Sequence, residues 1–151
     1  MKRFLLPALA ALSLTPLAAA GAAQAETWFI YSYNGRDAYL ADVDSIAQAE
    51  GETTVRVARI SQTAAAGDYT HMEETYALKC ADAQFSIVET VYYSRAGEVA
   101  DRYKEDELWD GILPETTPAY LKQTACDEAR SAQSFASIKA WVDAGRPTGA
   151  D

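Results

Sequence analysis

The chain contains two cysteines, Cys80 and Cys126. What they imply depends on where the chain goes. It opens Met1-Lys2-Arg3, continues through a mostly small, apolar run from Phe4 to Ala23, and reaches Ala23-Gln24-Ala25. A basic start, an apolar middle and an A-x-A site, in that order, mark a secretory signal. The expectation is a signal over residues 1–25, cut after Ala25. Pro7, Pro16 and the many alanines weigh against a retained membrane anchor. Export places both thiols in an oxidising compartment, and two cysteines without a third favour one intramolecular bridge. A redox pair is usually spaced C-x-x-C, and a zinc site would need two more soft ligands where the chain has one histidine. A Cys80–Cys126 bridge closes a loop of about 46 residues, which on chain-entropy grounds stabilises by roughly 4 kcal/mol.

The chain has 151 residues, with 22 acids against 13 bases and a net charge of −9. Losing Lys2 and Arg3 with the signal takes the charge to −11, since every acid lies beyond residue 25. That length suits one modest domain. Such an acidic surface is a poor match for phosphate, so nucleic acid and anionic lipid are not expected partners. After residue 25 no stretch approaches the roughly 20 apolar residues of a spanning helix.

Hydrophobic spacing divides the rest into a strand-rich part followed by a helical part. Trp28 to Tyr33 is aromatic and β-prone, and Asn34-Gly35 after it is a hairpin signal. Ala38 to Val43 reads as a second strand, and Asp44-Ser45-Ile46 as a turn or one helical turn. Glu50-Gly51-Glu52 reverses the chain. Thr54 to Ser61 alternates as a third strand. Residues 62–69 form a flexible connection. In Thr70 to Cys80, period two sets Met72, Tyr76, Leu78 and Cys80 towards the core. It sets His71, Glu73, Thr75, Ala77 and Lys79 towards water, with Glu74 a misfit on the inner side. Gln84 to Ser94 is the most β-prone stretch. Val99 to Lys104 reads as a short, charged edge strand.

The pattern then changes. Asp106 to Pro114 is irregular, with Trp109 as an anchor. Thr117-Pro118 reads as a helix start, and Tyr120, Leu121, Thr124, Ala125 and Ala129 recur at helical spacing on the segment carrying Cys126. A second helix is expected from about Ser134 to Ala144, with Phe135, Ile138, Trp141 and Val142 as its apolar stripe, ended by Gly145 and Pro147. About six strands followed by one or two helices is the order of an antiparallel α+β domain. The bridge would tether the first C-terminal helix to the sheet.

Several features stand in a familiar sequence: an exported N-terminus, a Trp-containing strand, Ala38-Tyr39-Leu40-Ala41-Asp42-Val43-Asp44-Ser45-Ile46, and Thr54-Val55-Arg56-Val57. Glu73-Glu74-Thr75-Tyr76-Ala77-Leu78-Lys79-Cys80 follows, then Phe85 to Tyr93 with Ser94 after it. The run Trp109-x-x-Ile112-Leu113-Pro114 with Thr116, Leu121-Lys122 and Cys126 comes last. Over about Trp28 to Cys126 the chain resembles the surface-adhesin protein E family of Gram-negative bacteria. The resemblance implies a curved antiparallel sheet with a C-terminal helix fixed across it by the disulfide. The best-known members are outer-membrane lipoproteins that bind host extracellular-matrix and plasma proteins. This chain has no cysteine after its cleavage site to accept lipid. It is therefore expected in the periplasm, at the outer-membrane surface or outside the cell, and not as a lipoprotein. Its domain is expected over 26–130, with 131–151 an additional helix and tail.

Chemical motifs are sparse. His71 with Glu73 and Glu74 is the one His–carboxylate cluster, and a solvated strand-face histidine is the favoured reading, because no H-E-x-x-H helix accompanies it. Asp42-x-Asp44-x-Ile46 starts like a calcium loop and then lacks the turn glycine and the distal glutamate. Asp101, Glu105, Asp106, Glu107 and Asp110 read as a solvated edge and loop. No G-x-S-x-G elbow, phosphate loop or dinucleotide fingerprint occurs, so no catalytic residue, metal or cofactor is expected. Tyr92 and Tyr93, being consecutive, point to opposite faces of a strand. With Trp109 they are the candidate binding surface. The expected function is a non-enzymatic, exported binding module meeting a protein partner, whether a host protein, an envelope protein or a second copy of itself. The alternatives are a periplasmic hydrolase or small-ligand carrier with a sheet–helix cleft, and an envelope structural protein.

Overall fold

A computed structural model describes residues 25–148. Residues 1–24 of the expected signal and the last three residues lie outside the described residues. The strands are β1 (Trp28–Tyr33), β2 (Asp37–Ala49), β3 (Glu52–Ser61), β4 (His71–Lys79), β5 (Gln84–Tyr93), β6 (Val99–Lys104), β7 (Asp110–Gly111) and β8 (Ser134–Phe135). The helices are α1 (Thr117–Ala125), before β8, and α2 (Ile138–Asp143), after it. The strands form one antiparallel sheet in the order β6-β5-β4-β3-β2-β1-β8, and β7 pairs with the start of β5. The expected α+β architecture is present. The six long strands are those the alternation marks, and β7 and β8 are two-residue additions too short to leave a periodic signal.

The meander follows from its turns. At the β1–β2 reversal Gly35 takes φ +82°, and the Asn34 side-chain oxygen accepts from the backbone N–H groups of Arg36 and Asp37 at 3.0 and 2.8 Å. Glu50 and Gly51 both adopt positive φ at the β2–β3 reversal, which glycine does without strain.

Asp44-Ser45-Ile46, read above as a turn or one helical turn, instead continues β2 through a bulge. Asp42 pairs with Arg56 and Ala47 with Thr54, so residues 43–46 bow out of the ladder. Side chains replace the lost ladder bonds. Asp42 Oδ1 accepts from the N–H groups of Thr27 and Asp44, Ser45 Oγ donates to the Asp42 carbonyl, and Arg56 N–H donates to Ser45 Oγ. The acidic pattern that begins like a calcium loop is thus the staple of a strand bulge.

Both faces of the sheet carry a core. On one face α1 packs Leu121 and Ala125 over Ala41, Val55, Val57, Tyr76 and Leu78. The Cys80–Cys126 disulfide joins the residue after β4 to the C-cap of α1, with Cα atoms 5.9 Å apart. On the other face Phe135, Ile138, Trp141 and Val142 cover Trp28, Ile30, Leu40, Ala58 and Ile60. The expected helix from Ser134 is shorter. Residues 134–135 pair with Phe29 and Trp28 as a strand, and α2 begins at Ile138 with the Ser137 hydroxyl accepting from Ala140 N–H. The four apolar residues of the stripe are all buried, three on the helix and Phe135 on the strand.

Double coverage corrects the reading of β4. His71 and Glu73 do not face water. Their side chains are 6% and 10% exposed. The alternation was sound, but a sheet with helices on both faces buries part of each parity set. Glu73 lies in a cross-strand row with Leu40, Ala58 and Val91, continuous with the core beneath α2.

Candidate functional site

Helix α1 covers only part of its face. Beneath it lies the cross-strand row Val55–Tyr76–Ile87. The next two rows, Val57–Glu74–Thr90–Tyr103 and Arg59–Met72–Tyr92–Asp101, run on beyond the helix. Residues 105–109 leave β6 before the chain returns to pair with β5 at Asp110. Between this excursion and the bare strands is a groove of about 490 Å³. Met72, Ile87, Phe85 and Thr90 line it from the strands, Glu105, Asp106 and Leu108 from the excursion, and Asp110 from β7. Tyr92 and Leu108, 44% and 74% exposed, are its accessible apolar groups. The Tyr92 and Tyr103 rings meet edge to face at 6.0 Å.

Glu74 and Arg59 line the groove from the sheet beside Tyr92. Glu74 accepts from the Tyr76 hydroxyl at 3.0 Å. Burial raises its carboxyl above the ordinary value, and Glu105 adds to the rise; the Tyr76 hydrogen bond and the Arg59 charge oppose it. The misfit on the inner face is therefore a half-buried carboxyl beyond the reach of α1, with an arginine near it. Arg59 is fixed by Asp37, whose Oδ2 accepts from Nε and Nη2 at 3.0 and 2.9 Å.

Of the three residues expected to form a binding surface, the groove is lined by Tyr92. Tyr93 points to the opposite face, stacked on His71 with ring centroids 4.2 Å apart, and donates to Glu73 Oε2 at 3.1 Å. Burial and the Glu73 charge push its hydroxyl up to about 12. Trp109 sits between two groove-lining residues, with the Lys79 ammonium 3.7 Å from its ring centroid. Sequence reasoning missed Glu74, Met72 and Leu108 as neighbours of Tyr92. Period two alone places Met72, Glu74 and, across the ladder, Tyr92 on one face; the return of residues 105–109 over them leaves no local signal.

The other face holds a second polar centre. Arg56 meets Glu26 at 2.7 Å, Asp42 at 2.6 Å and Glu73 at 3.6 Å, with its guanidinium 5.1 Å from the Trp28 ring centroid. Burial pulls the guanidinium down, but the bonds and charges of Asp42, Glu73 and Glu26 outweigh it and hold the group above its usual value. A hollow of about 500 Å³ beside it is lined by Arg56, Glu26 and Asp42 with Ser45, Thr54, Val55 and Thr75. Among the described residues no cluster of three or more His, Cys, Asp or Glu side chains is placed to hold a metal ion. Among them, too, no helix is long and apolar enough to cross a membrane.

Neither the curated proteins nor the solved structures gave a match to the chain. The sequence profile of one family, surface-adhesin protein E, matches residues 28–127. Those residues run from the first residue of β1 to just past the second bridging cysteine, and so take in β1 to β7, α1 and the disulfide. This chain belongs to the surface-adhesin protein E family.

Proposed function

We propose that the chain is an exported, non-enzymatic binding module of the cell envelope that meets a protein partner through the groove beside α1. One observation carries the reading. A helix pinned by a disulfide covers part of a sheet face, and the uncovered part, with the excursion beside it, presents Met72, Tyr92 and Leu108. Apolar groups left open within a polar rim are a feature of contact surfaces. The basic-apolar-small order of residues 1–25 supports export, and the family supports an adhesin-like role. Residues 131–151 are, on this reading, an addition to the family unit, since the profile match stops at 127.

A photo-crosslinking amino acid placed at Leu108 in the native envelope tests the groove. It should capture a defined protein partner that the same group at Glu50, in the β2–β3 turn, does not. Equal capture from both positions would remove the groove from consideration.

A second reading, a hydrolase or small-ligand carrier, draws on Glu74, a carboxyl raised by burial and lining the groove. Groups of that kind gather at catalytic sites. A ligand or substrate whose binding or turnover is lost in Glu74→Gln, with Leu108 variants unaffected, would favour it over the protein contact.

A further inference from the structure

The groove has a charge pattern that selects among protein partners. Four carboxylates, Glu74, Glu105, Asp106 and Asp110, line it against one guanidinium, Arg59. Arg59 does not balance them, because its charge is engaged by Asp37. Glu105 and Asp106 are exposed and stand on the same excursion as Leu108. The site therefore pairs acids with unfilled apolar positions. A neutral apolar segment would satisfy the second and desolvate the first without compensation. An acidic segment would meet like charge. The net charge of −9 over the chain adds a long-range field of the same sign.

Resting on the proposed reading of the groove as a protein contact, we propose that its occupant is an extended segment of a protein partner in which cationic residues flank an apolar one. The apolar side chain enters between Leu108 and the Met72–Tyr92 floor, and its cationic neighbours reach Glu105, Asp106 and Asp110. The faces of Tyr92 and Tyr103 offer a further contact to an arginine or lysine head group. The floor spans β3 to β5, two strand spacings of about 4.8 Å, which about three extended residues bridge.

The test uses the whole chain as recovered from the envelope, labelled with 15N. It is titrated with three synthetic heptapeptides: one alternating lysine and leucine, one alternating glutamate and leucine, and one alternating lysine and serine. The lysine–leucine peptide should shift the amides of Met72, Tyr92 and Leu108, and its Kd should rise several-fold between 50 and 200 mM salt (roughly the range in which screening grows). Glu105→Lys with Asp106→Lys, two exposed sites whose exchange leaves the core untouched, should weaken it about tenfold or more, roughly the scale of a close charge pair at an interface. Leu108→Ser should weaken it with little change in salt dependence.

The proposal is overturned if the glutamate–leucine peptide binds as well. It is also overturned if the double lysine variant binds unchanged, or if the shifts map to another face. Spermine or the lysine–serine peptide matching the lysine–leucine peptide would replace the segment with a cation alone. Capture from Leu108 in the envelope without binding of the lysine–leucine peptide would overturn the partner chemistry and leave the groove. Failure of both would overturn the groove as well.

Discussion

Asp42 Oδ2 lies 2.6 Å from Arg56 Nη2, and the Asp42 side chain is 2% exposed. The carboxylate closes the bulge in β2 with one oxygen and holds the arginine with the other. Removing the partner of a buried charge costs about 3–5 kcal/mol. Because water reaches about a third of the Arg56 side chain, Arg56→Met should fall at the lower end, about 3 kcal/mol, measured by urea unfolding at pH 7. A change under about 0.5 kcal/mol, the scale of an exposed pair, would show that the centre is not holding the bulge.

The disulfide governs α1. Reduction, or Cys80→Ser with Cys126→Ser, should cost roughly 4 kcal/mol for a separation of 46 residues. Hydrogen exchange should locate the loss in Thr117–Ala125 ahead of β1 to β5. Uniform loss across the sheet would mean that the bridge stabilises the whole fold rather than the helix over its face.

Tyr92 and Tyr93 should separate cleanly. Tyr93→Phe removes a hydrogen bond to Glu73 and should cost about 1.5 kcal/mol, in the range for bonds to charged groups, without altering capture from the groove. Tyr92→Ala should reduce capture while moving stability by less than about 0.5 kcal/mol, as for an exposed site. Reversal of these effects would place the binding surface on the other face.

Glu74 sets a pH dependence. Its carboxyl is raised in the folded chain, mainly by burial, so the folded state holds its proton more tightly than the unfolded state. The contribution is fully present below the ordinary value of 4.5 and is lost as pH rises through the folded value. Glu74→Gln should therefore stabilise the chain at pH 7, and the gain over wild type should vanish below about pH 4. A gain of equal size at pH 3.5 would assign the effect to packing instead.

Deleting residues 131–151 should uncover Trp28, Ile30, Leu40 and Ile60, which β8 and α2 protect. The truncated chain should bind a hydrophobic dye and self-associate, as large exposed apolar patches do. A monodisperse, dye-negative product would mean that the segment is dispensable to the sheet.

The long strands and the apolar stripe of the C-terminal segment were legible because each is written in local spacing, and the cysteine pairing because the chain has two cysteines and an export signal. What escaped was non-local. Nothing near Glu73 announces that α2, some 65 residues on, would bury the core row it continues. Residues 43–46 carry turn-like chemistry, Asp and Ser, because those side chains replace backbone bonds in a bulge as readily as in a turn. Phe135 fits a helical stripe and a strand equally, and only its pairing with Trp28 decides. At the groove, parity put Tyr92 and Tyr93 on opposite faces without telling which is open, and the acidic wall depends on where residues 105–109 return.

The strand order also has a directional consequence. The described chain enters at the start of β1 and leaves after α2, which packs over β1, β2 and β3, with Arg146 donating to the carbonyl oxygens of Ser61 and Asp68 at the β3–β4 connection. The groove is built from β3 to β5 and the excursion after β6, with β6 five strand spacings of about 4.8 Å from β1. The exit therefore lies on the face of Ala58 and Ile60, opposite the face of Arg59, Met72 and Tyr92 that carries the groove. A tether or fusion after α2 would hold the molecule by its back, with its acidic cleft presented outward.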